Sequence, residues 1–428
     1  MLSYWCEQAW LPPGRVARRV RLDVADGAVA AIAEDVEPGD ARRLAGLVLP
    51  GFANAHSHAF HRALRGRTSV GRGDFWTWRQ QMYAVAERLD PDSYLRLATA
   101  VYAEMALAGI TCVGEFHYLH HGPGGTPYDD PNVMQAALAD AAAAAGIRIT
   151  LIDTCYLTGG IGRPLEGAQL RFGDGDADRW AARELARTAG RHVRFGAAVH
   201  SVRAVPADQI ATVAESAQAR DNRLHVHLSE QPAENDACRA AYGCTPTELL
   251  AKARALGPSM VAIHATHLTD LDVRLLGFHH VEVCFCPTTE RDLADGIGPA
   301  RQLADAGCRL SLGSDSHAII DPFEEMRALE MHERLASGER GRFDVPALIQ
   351  VASRMGHRAL GWPEAGRIAL GTPADLVAVG LDSPRTAGGD DPAATAVFAA
   401  TAADVTDVVV GGRPVVREGV HLRVPDVG

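Results

Sequence analysis

Short apolar segments recur from residue 47 onwards, and most are followed by a longer segment that is alanine-rich or has helical periodicity. Runs of this length bounded by turn residues are typical of buried strands, and apolar positions every three or four residues are typical of helices. The predicted strands are Leu47–His56, Ile110–Phe116, Ile147–Cys155, Val193–His200, Leu224–Leu228, Met260–His264, Val281–Cys286 and Arg309–Gly313. The predicted helices include Pro91–Ala108, Met134–Ala145, Ala207–Ala219, Pro246–Leu256 and Ile297–Ala306.

This alternation predicts an α/β fold, a (β/α)8 TIM-like barrel spread over roughly 310 residues. A doubly wound open sheet is the competing architecture. The first strand-to-helix turn carries no G-x-G-x-x-G motif, and polar residues follow many strands instead of clustering at one switch point. The barrel is therefore the favoured fold.

The two ends of the chain differ from the middle. They contain short alternating β segments with Gly-rich turns, within Arg15–Ala33 and Gly366–Val416. We expect a small β-sandwich-like domain built from both termini, residues 1–50 plus 362–428, beside a catalytic barrel of residues 51–361. The Gly-rich stretch 158–178 follows the third predicted strand, and it is either a lid over the barrel mouth or a surface excursion.

Composition excludes several classes of protein. The 428 residues are 47% hydrophobic and 22% charged, as in ordinary globular proteins. The 42 basic and 53 acidic residues give a net charge of −11 without a basic run, so binding to nucleic acid or to an anionic membrane is not expected. The first residues do not resemble an export signal, and the cysteines are scattered, so we expect a soluble, cytoplasmic protein.

The first candidate for chemistry is His56-Ser-His58, at the end of the first predicted strand. Residues i and i+2 of a strand share a face, so both imidazoles can point at one spot and bind Zn²⁺. The motif is weak by itself, since 18 histidines in this chain give roughly 0.8 chance matches. In the second match, His225-Val-His227, we expect only His227 to reach the metal and His225 to be structural.

Further polar residues follow other predicted strands: Glu230 after the fifth, His264 at the sixth and Asp315 after the eighth. Catalytic residues of barrel enzymes come from the C-terminal ends of several strands, so this distribution favours an active site. Each residue also has a plain structural alternative. Glu230 could be an exposed loop carboxylate and Asp315 a helix cap, and His264 could be a core histidine, with His267 as the other candidate.

In this order, the histidines and the aspartate resemble the amidohydrolase superfamily, and within it the formimidoylglutamate deiminases. The resemblance runs along the whole chain and includes the terminal β-domain. The stretches that carry it are HSHAFHR (56–62), FWTWR (75–79), EFHYLHH (115–121), VHSVR (199–203), HVHLSEQ (225–231) and GSDSH (313–317).

The resemblance implies one Zn²⁺ per subunit, held by His56, His58, His227 and Asp315. Binuclear relatives bridge two metals with a carboxylated lysine on strand four. The only lysine of this chain is Lys252, in a helix-like segment after strand five, so we expect the mononuclear arrangement. The resemblance also implies a homodimer.

The activity implied is hydrolysis of N-formimino-L-glutamate to N-formyl-L-glutamate and ammonia, in histidine degradation. Asp315 would take the proton of the attacking water, Glu230 would carry protons to the substrate nitrogens, and His264 would polarise the attacking oxygen. The predicted contacts to the dicarboxylate substrate are Arg79, Tyr118, His200, Arg203 and His61. The two arginines match carboxylates, whereas His61 stands where relatives have a glutamine.

Two other functions stay open. A zinc deaminase of a purine-like or other heterocycle would need an aromatic pocket and neither Arg79 nor Arg203. A barrel that binds zinc or a metabolite without catalysis would need neither Glu230 nor His264. Cys284 and Cys286 alternate along a buried strand, so we expect them to be inert core residues and not metal ligands.

Overall fold

The computed structural model describes residues 2–68, 75–184 and 190–424, and these ranges contain two eight-stranded sheets. The strands, numbered along the chain, are β1 (Leu2–Leu11), β2 (Arg15–Ala25), β3 (Ala28–Ala33), β4 (Arg42–Pro50), β5 (Phe52–Ser57), β6 (Ile110–His117), β7 (Arg148–Cys155), β8 (Val193–Val199), β9 (Arg223–Leu228), β10 (Met260–His264), β11 (Glu282–Phe285), β12 (Arg309–Leu312), β13 (Leu376–Val379), β14 (Val405–Val410), β15 (Arg413–Arg417) and β16 (Val420–His421).

The helices lie mainly between the strands of the second sheet. They are α1 (Phe75–Ala86), α2 (Pro91–Leu107), α3 (Val133–Ala145), α4 (Ala177–Glu184), α5 (Ile210–Ala219), α6 (Pro232–Tyr242), α7 (Pro246–Lys252), α8 (Asp270–Phe278), α9 (Pro287–Asp292), α10 (Ala300–Asp305), α11 (Pro322–Ser337), α12 (Val345–Gln350), α13 (Gly356–Ala359) and α14 (Pro392–Ala399). A π-helical turn, Val351–Met355, joins α12 to α13. None of the described helices is long and apolar enough to cross a membrane.

The second sheet is the expected (β/α)8 barrel, which confirms the predicted fold class. Strands β5 to β12 pair in parallel and in chain order. The first and last strands meet beyond the end of β12, where the Asp315 amide donates to the His56 carbonyl at 3.0 Å and the His58 amide donates to the Asp315 carbonyl at 3.2 Å. Gly313 permits this approach, because a Cβ there would lie 2.8 Å from the His56 carbonyl oxygen. The closure places two predicted histidines and the predicted aspartate side by side.

The terminal β-domain is also confirmed, and its strands form one continuous mixed sheet in the order β16-β15-β14-β13-β4-β1-β2-β3. Pairing of β4 with β13 joins the two ends of the chain, with Leu49 opposite Val377. The boundaries at residues 50/51 and 361/362 stay a prediction.

The prediction of one strand over Leu47–His56 is wrong, because this run contains the end of β4 and most of β5, which belong to different sheets. The chain turns at Gly51, whose amide donates to the Asp375 carbonyl at 2.9 Å. A Cβ at Gly51 would lie 2.4 Å from the Thr111 hydroxyl, so only glycine fits. Both strands are buried, and hydrophobicity therefore shows no break between them.

Part of the stretch 158–178 is held in place by buried polar contacts. Within its short 3-10 helix, the buried Arg171 donates to the carbonyl oxygens of His121 at 2.8 Å and Leu89 at 2.7 Å, and to that of Ala86. Main-chain carbonyls that accept from a guanidinium satisfy its charge in the interior. This part of the stretch is thereby fastened to the elements around the mouth.

Candidate active site

The C-terminal ends of the barrel strands bring five predicted residues together. His56 lies near the end of β5, and His58 follows that strand. His227 lies on β9, His264 ends β10, and Asp315 follows β12. All five side chains are buried. His264 and Asp315 have φ values of 68° and 43°, and left-handed backbone at such non-glycine residues is typical of functional sites.

Their donor atoms converge on one point. The Nε2 atom of His227 lies 3.1 Å from Nε2 of His56 and 3.4 Å from Nε2 of His58. Oδ1 of Asp315 lies 3.4 Å from His56 Nε2 and 3.5 Å from His58 Nε2. Three imidazoles and one carboxylate therefore surround a space of atomic size.

Hydrogen bonds to the Nδ1 atoms of His58 and His227 determine which kind of ion can occupy the space between the Nε2 atoms. Nδ1 of His58 lies 2.9 Å from the Phe116 carbonyl oxygen, and Nδ1 of His227 lies 2.9 Å from the His200 carbonyl oxygen. A carbonyl only accepts, so each Nδ1 carries the hydrogen and each Nε2 presents a lone pair. Lone pairs 3.4 Å apart beside a carboxylate repel one another unless a cation lies between them. The donor set fits a divalent metal ion such as Zn²⁺.

The pKa shifts agree with this assignment. Burial, together with the neighbouring His56, lowers the pKa of His58 to about 3, and burial lowers the pKa of His227 well below its usual value. Burial alone raises the pKa of Asp315, but the hydrogen bond and charge of His56 and the charge of His264 bring it below the usual range. At neutral pH the site therefore offers unprotonated imidazoles and an ionised carboxylate, the forms that bind metal.

His264 behaves differently, because three carboxylates surround it. Its Nε2 lies 3.8 Å from Glu230 Oε1 and 3.6 Å from Asp315 Oδ2, and its Nδ1 lies 3.3 Å from Glu290 Oε1. Burial alone lowers the pKa of His264, but these carboxylates raise it well above its usual value. An imidazole that can hold a proton beside Asp315 and Glu230 suits stabilisation of a negatively charged oxygen.

A cavity that is partly open to solvent lies above this cluster. Nine of the eleven predicted site residues line it: His58, His61, Arg79, Tyr118, His200, Arg203, His227, Glu230 and Asp315. The other two, His56 and His264, lie against the lining residues His227 and Glu230. Predictions made from separate parts of the sequence therefore meet at one place.

The charged wall of this cavity is centred on Arg203. Its Nε donates to Oε2 of the fully buried Glu234 at 3.0 Å, and one terminal nitrogen lies 3.6 Å from Oε2 of Glu230. Arg79 lies on the same wall, with its guanidinium 5.5 Å from the ring centre of Tyr83. Two guanidinium groups thus flank the path to the metal-binding cluster.

The remaining predicted substrate contacts are neutral polar groups. His61 Nε2 lies 3.0 Å from the Tyr118 hydroxyl, and its ring centre lies 4.5 Å from that of His58. His200 Nδ1 lies 3.1 Å from the Ser201 hydroxyl. Burial lowers the pKa of both His61 and His200 well below the usual value, so both rings are uncharged hydrogen-bonding groups at neutral pH.

Sequence reasoning missed three glutamates that support the site. Glu234 fixes Arg203, and Glu290 fixes His264. Glu115 is buried on β6, where it accepts from the Ser57 hydroxyl and the Ala59 amide, both at 2.7 Å. By binding Ser57 and Ala59, Glu115 holds the His56–His58 segment in place. Glu115 lies inside the predicted buried strand Ile110–Phe116, which could have marked it. No local pattern distinguishes Glu234 and Glu290 from surface glutamates, because their partners are distant in sequence.

Most residues for which the sequence predicted only an alternative or a structural role lie apart from the cluster, with one exception. His225 is buried but belongs to none of the groups that could hold a metal among the described residues, and His267 Nε2 lies 2.7 Å from the Asp295 carbonyl. The exception is Cys286, expected to be inert, which is grouped with His264 and Asp315. Lys252 is exposed at the end of α7, away from the barrel strands.

Comparison with known proteins identifies the family. Residues 47–415 match the model of the Amidohydrolase family. The formimidoylglutamate deiminase of Pseudomonas aeruginosa is 39% identical, over 98% of this chain and 96% of that protein. The 8-oxoguanine deaminase of Pseudomonas aeruginosa is 32% identical, over 86% of this chain and 81% of that protein.

The fold has a close match among solved structures. The crystal structure of an amidohydrolase from Brucella melitensis superposes with a TM-score of 0.90 and 33% identity, covering 99% of this chain and 96% of that one. Both the barrel and the terminal sheet are therefore shared with it. By family match, by relatives and by fold, this chain belongs to the amidohydrolase family.

Proposed function

We propose that this protein is a deiminase that hydrolyses N-formimino-L-glutamate to N-formyl-L-glutamate and ammonia. The observation that carries the proposal is the cavity in which Arg79 and Arg203 lie beside the His58, His227 and Asp315 cluster. A dicarboxylate with a hydrolysable amidine needs both features, cations for its carboxylates and a site that activates water. The identity to the deiminase of Pseudomonas aeruginosa supports the same substrate.

One Zn²⁺ per chain is part of the proposal, with His56, His58, His227 and Asp315 as its ligands. The converging lone pairs described above support a divalent ion, and nitrogen-rich donor sets suit zinc. When bound, Zn²⁺ lowers the pKa of water enough for it to lose a proton near neutral pH.

The proton transfers then fall to residues of this chain. Asp315 accepts a proton from the water, and Glu230, 3.8 Å from His264 Nε2, delivers protons to the imino nitrogen of the substrate, which leaves as the amine. The water oxygen bonds to the amidine carbon, whose C=NH nitrogen becomes an amine. His264 stabilises the negative charge on the oxygen that has bonded to the amidine carbon. The O–H proton of the adduct is transferred to the NH₂ group through Glu230, the C–NH₂ bond breaks, and ammonia leaves as the C=O bond of the formyl group forms.

The two carboxylates of the substrate match the side of the cavity that carries Arg79 and Arg203. We propose that Arg79 and Arg203 bind the two carboxylates, and that Tyr118, His200 and His61 donate or accept neutral hydrogen bonds around the amidine. Glu234 supports this role for Arg203, because it holds the guanidinium through Nε at the wall of the cavity.

The test is ammonia release from N-formimino-L-glutamate by zinc-loaded protein, beside chelated protein and a panel of purine and cytosine analogues. Zinc-dependent ammonia, with N-formyl-L-glutamate as the other product, is the expected result. Release from a heterocycle alone would replace the substrate and discard the arginine assignment. Tight zinc binding with no reaction on any compound would favour a barrel that only binds ligands.

We also propose that the protein is a cytoplasmic enzyme of histidine degradation and a homodimer. All eight cysteines are unpaired thiols, which supports a reducing compartment. The dimer follows only from the resemblance, and sedimentation of the purified protein tests it directly.

A further inference from the structure

A second group of metal-binding atoms lies next to the proposed zinc ligands. It consists of His264, Cys286 and Asp315, whose ligand atoms all lie within 4.8 Å of one another and are all buried. The three residues come from the ends of β10, β11 and β12, which are neighbours in the barrel. One donor from each of three adjacent strands is the geometry that an ion at a barrel mouth requires.

The two oxygens of Asp315 separate this group from the first. Oδ1 faces His56 and His58 at 3.4 and 3.5 Å, whereas Oδ2 faces His264 Nε2 at 3.6 Å. A carboxylate oriented in this way can bind one ion through each oxygen. The second group therefore uses a different oxygen of Asp315 from the first, although a ring nitrogen of His264 also lies within 4.8 Å of donor atoms of His56 and His227.

His264 supplies an independent indication that a ligand belongs here. Its Nε2 is buried and has no hydrogen-bond partner among the residues that the structure describes. Its Nδ1 is held by Glu290, which also accepts from the Cys286 amide at 2.8 Å. One buried carboxylate thus orients both the ring of His264 and the backbone that carries the thiol, and Nε2 of His264 lies 3.6 Å from Asp315 Oδ2.

We propose that His264, Cys286 and Asp315 form a second, weaker site for a thiophilic divalent ion, such as Cd²⁺ or excess Zn²⁺, beside the catalytic metal. Sulfur and imidazole donors select such ions over Mg²⁺ or Ca²⁺. Binding replaces the S–H bond of Cys286 with an S–metal bond and also displaces the proton that His264 can hold on Nε2, and these protons pass to the buffer. Three donors, two of which must give up a proton, make this site weaker than the first.

Occupation of the second site has a consequence for catalysis. It engages the His264 nitrogen and the Asp315 oxygen that the proposed reaction uses, so an excess of thiophilic metal inhibits hydrolysis. This consequence rests on the proposed function, whereas binding of the ion does not.

The chain contains a matched control for the thiol. Cys284 lies two residues earlier, is equally buried and does not belong to the group. Its side chain is hydrogen-bonded to that of Cys286, and serine at this position keeps a hydrogen-bonding group there. All eight cysteines are buried, so no surface thiol contributes a competing signal.

The experiment titrates zinc-loaded protein with CdCl₂ and measures bound Cd²⁺ and Zn²⁺ per chain by equilibrium dialysis. Ultraviolet absorption from thiolate-to-cadmium charge transfer and proton release are followed in parallel. Wild type and Cys284→Ser are expected to keep their zinc, bind one Cd²⁺, gain the absorption and release protons. Cys286→Ser is expected to bind Cd²⁺ about tenfold or more weakly and to lack the absorption.

Three results would overturn the proposal: no Cd²⁺ bound beyond zinc in the wild type, Cd²⁺ entering only as Zn²⁺ leaves, or unchanged absorption in Cys286→Ser. The first two need no variant, so the test stands even if Cys286→Ser fails to fold. If cadmium binds as expected but N-formimino-L-glutamate is not hydrolysed, the proposed function fails and the second metal site stands.

Discussion

Replacing Arg203 with methionine tests the substrate assignment most directly, but it perturbs more than the substrate contact. The substitution removes a proposed carboxylate partner, and it leaves Glu234 without its 3.0 Å ion pair in a position with 0% side-chain exposure. It also removes the guanidinium nitrogen that lies 3.6 Å from Glu230 Oε2. Removing one partner of a buried pair costs about 3 kcal/mol of unfolding free energy. Loss of two charge-assisted hydrogen bonds to a substrate carboxylate costs about 3 kcal/mol of transition-state binding, or roughly 150-fold in kcat/KM.

The double variant Arg203→Met with Glu234→Gln separates the two effects. Neutralising the buried carboxylate is expected to restore most of the lost stability, measured by urea unfolding, because the unpaired charge is gone. The value of kcat/KM, measured by ammonia release, is expected to stay at the level of the single variant. Arg163→Met, at an exposed arginine of the adjoining cavity, serves as the control and is expected to keep wild-type activity.

Substrates that lack one carboxylate test whether Arg203 contacts that carboxylate directly. N-formimino-4-aminobutyrate and N-formimino-2-aminobutyrate each lack one carboxylate of the full substrate. For the analogue without the carboxylate that Arg203 binds, wild type and Arg203→Met are expected to have nearly equal kcat/KM. Equal losses on both analogues, or recovery of activity together with stability in the double variant, would refute a direct contact between Arg203 and the substrate.

Three further substitutions test other parts of the site. Asp315→Asn is expected to lower the zinc retained after dialysis by about tenfold or more, measured by elemental analysis, because it removes an anionic ligand; full zinc retention would contradict the ligand assignment. Glu230→Gln is expected to lower kcat about 10³-fold at unchanged zinc content, and unaltered turnover would rule out its proton transfers. Burial raises the pKa of Glu115 from its usual value of 4.5 to about 7 in the folded protein, so the folded state favours the protonated carboxyl. The wild type therefore loses up to about 3 kcal/mol of unfolding free energy as the pH rises from 4.5 to 7. Glu115→Gln is expected to lack this loss in urea unfolding at pH 5 and pH 8, and the same pH dependence in both proteins would show that Glu115 is not its source.

Much of the site follows from the sequence because strand periodicity and barrel topology are both regular. Strand residues two apart share a face, and this rule by itself puts the side chains of His56 and His58 next to each other. All parallel strands of a barrel end at the same mouth, so Glu230, His264 and Asp315 are expected there from their positions after strands. The single lysine, Lys252, likewise argues against a carbamate bridge.

Tertiary structure alone decided where one buried strand ends and another begins, and which side chains meet from different strands. The run Leu47–His56 reads as one strand, because both of its parts are buried and only the contacts of Gly51 reveal the turn. Glu234 and Glu290 become supports of Arg203 and His264 through hydrogen bonds that carry no periodic signal.

Cys286 shows most clearly which features follow from local sequence and which follow from tertiary structure. Its alternation with Cys284 predicted two buried thiols, and both are buried. Their distances from His264 and Asp315 depend on how neighbouring strands are staggered around the barrel, a quantity that no single strand encodes. Local sequence thus determined which residues face inward, and the closed barrel determined which of them meet.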